Sequence, residues 1–325
     1  MKIKNIKSHT ENKLYLENAW KSNRFPHLLL FDGPKSVGKF SLSLNLAYQL
    51  LVNNDINFSS NFPEETFQGK GEKFFHPDLL VLGNDEGRKE ITIDEIRGIK
   101  KFFSLSPAAS KFRIAIIDNA ENLNMNAQNG LLKILEEPPE NSFIILIAHS
   151  VERLLITVKS RVIKLKFHPF SPEEIKLIIK REDFTTNSLI EQGFSITNIE
   201  KWHSLSYNEI YKVILNFLFS LKTPFEIYES VESWCKKEKV ATEEFFEIIN
   251  VLNTRMMKYK LNNQVRPLVE NEMETFSKIM PKIHYQSLLE LQLYISNLTT
   301  DCQKFSLDFK TIAILILSKY CNTFK

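Results

Sequence analysis

The sequence predicts two architectures in one chain, an α/β front half and an all-helical back third, and three observations carry this. Glycine is confined to the front: there are nine in 325 residues and none after Gly193, and the stretch beyond it holds only Pro224, Pro267 and Pro281. Tight strand-to-helix connections need glycine, whereas helix bundles manage with few. Up to about residue 165, short apolar runs alternate with helical patterns, as stacked β-α units should. Beyond about residue 205, amphipathic segments such as YNEIYKVILNFLFSLK and YQSLLELQLYISNL point to an antiparallel bundle. The length suffices for two or three domains with substantial cores.

Five runs read as buried strands: Leu28–Phe31, Asp78–Leu82, Arg113–Ile117, Phe143–Ile147 and Arg161–Leu165. The last, RVIKL, alternates, which predicts an edge strand with one wet face. Between them lie helices with readable ends. FSLSLNLAYQLL spaces Leu42, Leu46 and Leu50 for one buried face. Thr92 and Glu95 form a capping box ahead of Ile96, Ile99 and Phe103. Asn124 caps a helix running to Leu135, with Leu131, Leu132, Ile134 and Leu135 as its apolar face and Pro138-Pro139 as its stop. After the fifth strand, Ser171, Pro172 and Glu174 mark a strong helix start. The predicted domains are therefore 1–167 for the α/β core, 168–205 for a small three-helix region, and 206–325 for the bundle.

Composition excludes little. The formal net charge of +3 argues neither for nor against nucleic acid. No apolar run reaches the length of a membrane span, and MKIKNIKSHTENKLYLENAW lacks a secretory core. Cys235, Cys302 and Cys321 are widely spaced, so a reducing, cytoplasmic compartment is the simplest reading.

The chemistry starts at GPKSVGKF, Gly33 to Phe40. It follows the phosphate-loop pattern G-x-x-x-x-G-K-[ST] through Gly33, Gly38 and Lys39, after a strand and opening a helix. Such loops curl backbone N–H groups around phosphate oxygens and bring a lysine to the β- and γ-phosphates. The last position normally gives Mg²⁺ an oxygen, and Phe40 has none. Ser41 is no easy substitute, because the next residue on a helix is rotated by about 100°. The second half of an ATPase site belongs at the end of a later strand, and RIAIID supplies Asp118. Next to it, where an active site has a glutamate to activate water, stands Asn119, which cannot accept the proton. Glu121, two residues on, is expected to point elsewhere. Two independent losses, Phe40 and Asn119, predict a worn-down ATPase that does not hydrolyse ATP.

NGLLKILEEPP (Asn129–Pro139) followed by FIILIAHSVERLLITVKSR (Phe143–Arg161) closely resembles the clamp-loader branch of the AAA+ proteins. FHPDLLVL and ITIDEIRGIKKFF are similar to its bacterial delta-prime and gamma/tau members. The resemblance runs from about residue 5 to about residue 200. It implies an AAA+ five-stranded parallel core, a helical lid and a C-terminal helical collar that oligomerises. It also implies a DNA polymerase III assembly that loads a sliding clamp onto primed DNA, with delta, gamma/tau, clamp and DNA as partners and no membrane.

Within the family, degenerate phosphate-binding motifs and the short chain favour the delta-prime type. The lid arginine of active members also has no counterpart at Ser195, Ile196 or Thr197. Ser160-Arg161 sits where the family has a Ser-Arg pair whose arginine reaches a neighbour's γ-phosphate. A permanently charged, rigid fork of donors suits that task. Val162 replaces the usual cysteine at a position that need only pack. ATP and Mg²⁺ are thus expected at neighbouring subunits, with none required by this chain. A zinc module common in bacterial relatives is not expected, since Leu51–Pro77 has no cysteine and His76 alone makes no tetrahedral site. His149-Ser150 lies where the family has a phosphate-sensing residue, although a strand-end histidine is more often a surface group. Lys100, Lys101, Arg153 and Lys159 fit a DNA backbone and a solvated surface equally. Two alternatives stay open at this point: an ATP-hydrolysing gamma/tau-type motor, and an unrelated P-loop NTPase or kinase.

Overall fold

The computed structural model describes residues 9–59, 76–83, 90–181, 183–191, 194–204, 207–220, 224–237, 242–262, 265–305 and 308–324. The chain divides into two compact units, Met1–Lys180 and Arg181–Lys325. In the first, the element order is α1 (Thr10–Lys21), β1 (Leu28–Asp32), α2 (Lys39–Tyr48), β2 (Leu79–Leu82), α3 (Ile93–Phe103), β3 (Arg113–Ile117), α4 (Met125–Glu136), β4 (Ser142–Ala148), α5 (Ile156–Lys159), β5 (Ile163–Lys166) and α6 (Pro172–Ile179). The strands form one parallel sheet in the order β2-β3-β4-β1-β5, the five-stranded core predicted.

The near-continuous apolar runs follow from a sheet covered on both faces. Leu29, Phe31, Ile114, Ile116, Ile145 and Ile147 pack on one face with α1 and α2. Leu28, Leu30, Ala115, Ile117, Ile144 and Leu146 pack on the other with α3, α4 and α5. Both capping boxes form: Glu95 accepts from the Thr92 N–H at 2.9 Å, and Glu174 accepts from the Ser171 N–H at 2.9 Å. Asn124 Oδ1 accepts from the Ala127 N–H at 2.8 Å, the predicted cap of α4.

Three local expectations need correction. Leu42, Leu46 and Leu50 are buried as predicted, but so are Ser41, Ser43, Leu44 and Asn45, so α2 is buried nearly all round. Its polar groups find partners along the helix: Ser43 donates to the Phe40 carbonyl at 2.7 Å and Gln49 to Asn45 at 3.3 Å. Arg161 and Val162 lie ahead of β5, because the Arg161 N–H turns back to the Val158 carbonyl at 3.1 Å. Asp78 also lies outside its strand. Its fully buried carboxylate accepts from the N–H groups of Ala108 and Ala109 (both 2.7 Å) and Ser110 (3.0 Å). Burial alone would raise its pKa, but those three donors outweigh burial and hold it below the usual range.

Among its described residues the second unit holds helices and no strand: α7 (Phe184–Glu191), α8 (Ile196–Ser204), α9 (Tyr207–Ser220), α10 (Pro224–Lys237), α11 (Thr242–Asn262), α12 (Glu272–Ile279), α13 (Tyr285–Phe305) and α14 (Phe309–Phe324). Its core holds a buried ion pair. Arg255 donates to both oxygens of Glu272, at 2.6 and 2.7 Å, and Glu272 also accepts from the Tyr211 hydroxyl and the Leu268 N–H, both at 2.5 Å. Of the three short helices expected over 168–205, the first belongs to the α/β unit and the other two to the helical one.

Candidate functional site: a closed phosphate loop and an exposed arginine

Parallel strands put the ends of β1, β3 and β4 side by side, and the residues just past them meet there. The loop after β1 is tightly seated. A Cβ on Gly33 would lie 2.3 Å from the Phe167 carbonyl oxygen, so no other residue fits. Gly38 opens α2 with φ of 81°, a left-handed conformation that favours glycine. His9, from the residue preceding α1, adds a brace through its Nε2, 2.7 Å from the Val37 carbonyl.

Lys39, the residue expected to meet phosphate, is buried and turned inward. Its Nζ donates to the carbonyls of Gly33 (2.5 Å) and Pro34 (2.6 Å) and to Nδ1 of His149 (2.7 Å). An ammonium has three N–H groups, so all three are engaged within the chain. Burial brings the Lys39 pKa down to about 8, against the pull of Asp118, Glu121 and Asp32. Burial, and then the Lys39 charge, lowers His149 to about 4, leaving a neutral imidazole free to accept.

Asp118 reaches this cluster from the end of β3. Burial raises its pKa to about 6, offset in part by the Asn119 N–H at 3.0 Å and by Lys39. Asn119 is left-handed at φ 51°, and its amide donates to the Gly83 carbonyl at 3.0 Å, so it faces the end of β2. Glu121 does not point elsewhere. Its Oε2 accepts from the His149 N–H at 3.1 Å, and its charge acts on Lys39, Asp118 and His149. Phe40 is partly buried and packs against the core between α2 and the sheet, so it offers the loop no oxygen. At this end of the sheet the Gly33–Gly38 loop is filled by the chain's own lysine.

The predicted pair Ser160 and Arg161 lies at the other end. β5 pairs with β1 from Ile163–Leu29 to Lys166–Asp32. Arg161 precedes this pairing and Gly33 follows it, so roughly 10 Å of strand separates them before either loop is counted. Arg161 is exposed. Its Nη1 donates to the Thr157 carbonyl at 3.0 Å and its Nη2 to Glu136 Oε1 at 2.8 Å. Ser160 Oγ donates to the same Thr157 carbonyl at 3.0 Å. Ile156, one turn before Ser160, is 79% exposed, the barest of the large apolar side chains among the described residues.

A family described as DNA polymerase III, delta subunit, matches residues 8–171. The chain belongs to that family. Its AAA+ core is thus a clamp-loader-type core, and an unrelated P-loop enzyme is set aside. DNA polymerase III subunit delta' of Pseudomonas aeruginosa is 33% identical over 138 residues, 42% of each chain. The delta' subunit of Bacillus subtilis is 29% identical over 196 residues, covering 60% of this chain and 58% of that one. The gamma subunit of Buchnera aphidicola from Acyrthosiphon pisum is 29% identical over 176 residues, 53% of this chain and 48% of that one. The chain thus spans about half the length of the relatives it matches.

The remaining predicted features divide plainly. Lys100, Lys101 and Arg153 are exposed and Lys159 is half-buried. At the expected lid-arginine position, Ser195 instead accepts from the Asn198 N–H at 3.3 Å, capping α8. Among the described residues, no group of three or more His, Cys, Asp or Glu is placed to hold a metal. The zinc-free expectation rests on 51–77, of which 60–75 lie outside the described residues. Among the described residues, no helix is long and apolar enough to cross a membrane. Sequence reasoning missed His9 and underweighted His149 and Glu121. The β1–β4 pairing, which places the residue ending β4 beside the loop, emerges only in the structure.

Proposed function

We propose that this chain is a delta-prime-type member of a clamp loader, a ring subunit that hydrolyses no ATP itself and presents Arg161 to ATP held by a neighbour. The observation that carries this reading is the inward Lys39, whose three donors are already engaged while Arg161 stands exposed at the opposite end of the sheet. Phe40 and Asn119 support it by removing the magnesium ligand and the base. The partners would be gamma/tau- and delta-type subunits, the clamp and primed DNA, in the cytoplasm at the replisome. The α/β unit would serve as the ring's core, and the helical unit as lid and collar.

One observation favours a hydrolysing gamma/tau-type role: Glu121 enters the cluster around Lys39. Its carboxylate, however, already accepts the His149 N–H, and no hydroxyl stands at position 40. The test is ATP turnover by a reconstituted loader, with clamp and primed DNA present, carrying Arg161→Ala in this subunit alone. A fall of about tenfold or more with the ring still assembled supports the reading, given that such arginines contribute far more than that elsewhere. Unchanged turnover removes the arginine from the account. Magnesium-dependent turnover by the purified chain would favour the motor reading instead.

A further inference from the structure

Arg161 is held at two nitrogens by two different elements. Thr157 lies in α5, and Glu136 is the last residue of α4. A guanidinium carries five N–H groups in one plane, so three have no acceptor among the described residues and are left for another. Two holds from separate directions fix the plane of the fork as well as its position. Neither hides it: the side chains are 36% exposed for Arg161 and 51% for Glu136. An ion pair this exposed is weak in water, so it can orient the arginine without sequestering it.

The placement of Glu136 is otherwise unfavourable. A carboxylate at a helix C-terminus meets the negative end of the helix dipole, and an acidic residue is not needed to stop α4 when Pro138 and Pro139 follow. Leu135 and Ile134 bury themselves beneath it, which anchors the helix end that carries it.

We infer that Glu136 is a positioning residue for Arg161, holding the guanidinium plane so that its free N–H groups meet the oxygens of a nucleoside triphosphate bound by an adjoining chain. This rests on the proposed role of Arg161. The test compares Glu136→Gln, Arg161→Ala and the double variant, each in this subunit only of a reconstituted loader, over a range of ATP concentrations. Glu136→Gln should lower kcat about threefold to tenfold with KM for ATP unchanged, as expected when a group is misplaced in the transition state alone. The double variant should match Arg161→Ala, since Glu136 has nothing left to position. The melting temperature of the isolated chain should not move, and Glu136→Asp should restore part of the rate. An Arg161→Ala effect with no Glu136→Gln effect overturns this inference alone. So does a rise in kcat, which would make the pair a restraint, or a Glu136 effect that persists without Arg161. No effect of Arg161→Ala overturns the inference together with the reading beneath it.

Discussion

Past the C-terminal ends of β1, β3 and β4, Lys39, Asp118 and His149 are packed together, and every donor of the lysine is engaged within the chain. Ahead of β5, at the other end of the same sheet, Arg161 is exposed with three N–H groups free of acceptors among the described residues. Both ends carry a cation of the kind used on phosphate. The difference teaches that a cation's use is decided by what already satisfies it. Lys39 would have to lose three short hydrogen bonds, one of them to His149, before meeting a phosphate. Arg161 need lose nothing.

The largest effect on stability should come from the opposite edge of the sheet, where Asp78 precedes β2. Asp78 holds three backbone N–H groups, and Asp78→Ala removes their acceptor together with the carboxylate 3.6 Å from the buried Arg113 guanidinium. The expected loss is about 3 kcal/mol by denaturant unfolding. A loss below about 1 kcal/mol would mean that the 104–112 turn is held some other way.

The closed end should show the opposite sign. Asp118 has a folded pKa of about 6 against 3.8 for the free group, so between those values the folded chain holds a proton that the unfolded chain lacks. This group therefore stabilises the fold as pH falls from 6 to 4 and penalises it above 6. Asp118→Asn should accordingly stabilise the chain by up to about 3 kcal/mol at pH 7 to 8, with the gain gone by about pH 4. A destabilisation at pH 7 would show that the carboxylate is needed where it stands.

His149 offers a finer probe. Its imidazole, lowered to about 4 by burial and then by Lys39, should titrate higher by NMR in Lys39→Met, while burial still keeps it below the ordinary value. No change would mean that the two side chains are apart in solution. The smallest effect belongs to the open end: Glu136→Gln should change stability by less than about 0.5 kcal/mol, as befits an exposed pair.

Much of this contrast was legible in the sequence, for a physical reason. Strands such as FIILI and RIAII are buried on both faces, so they read as unbroken apolar runs, and the caps at Thr92, Asn124 and Ser171 are local interactions spelled out within four residues. Arg161 and the loss at Phe40 were also visible, because each is a substitution in, or retention of, a short motif. What stayed hidden depends on distant pairs. Lys39 meets His149 and Asp78 meets Ala108 only through strand order. Glu121 was misplaced because its backbone, after the left-handed Asn119, turns into a single helical turn that swings the carboxylate toward β4.

The most direct test of the central claim compares the two ends in one assembly: ATP turnover by the reconstituted loader with Lys39→Met or Arg161→Ala in this subunit, assembly being verified for each. The account predicts turnover within about twofold of wild type for Lys39→Met and a fall of about tenfold or more for Arg161→Ala. A loss with Lys39→Met and none with Arg161→Ala would contradict it, and would make the closed loop the working end.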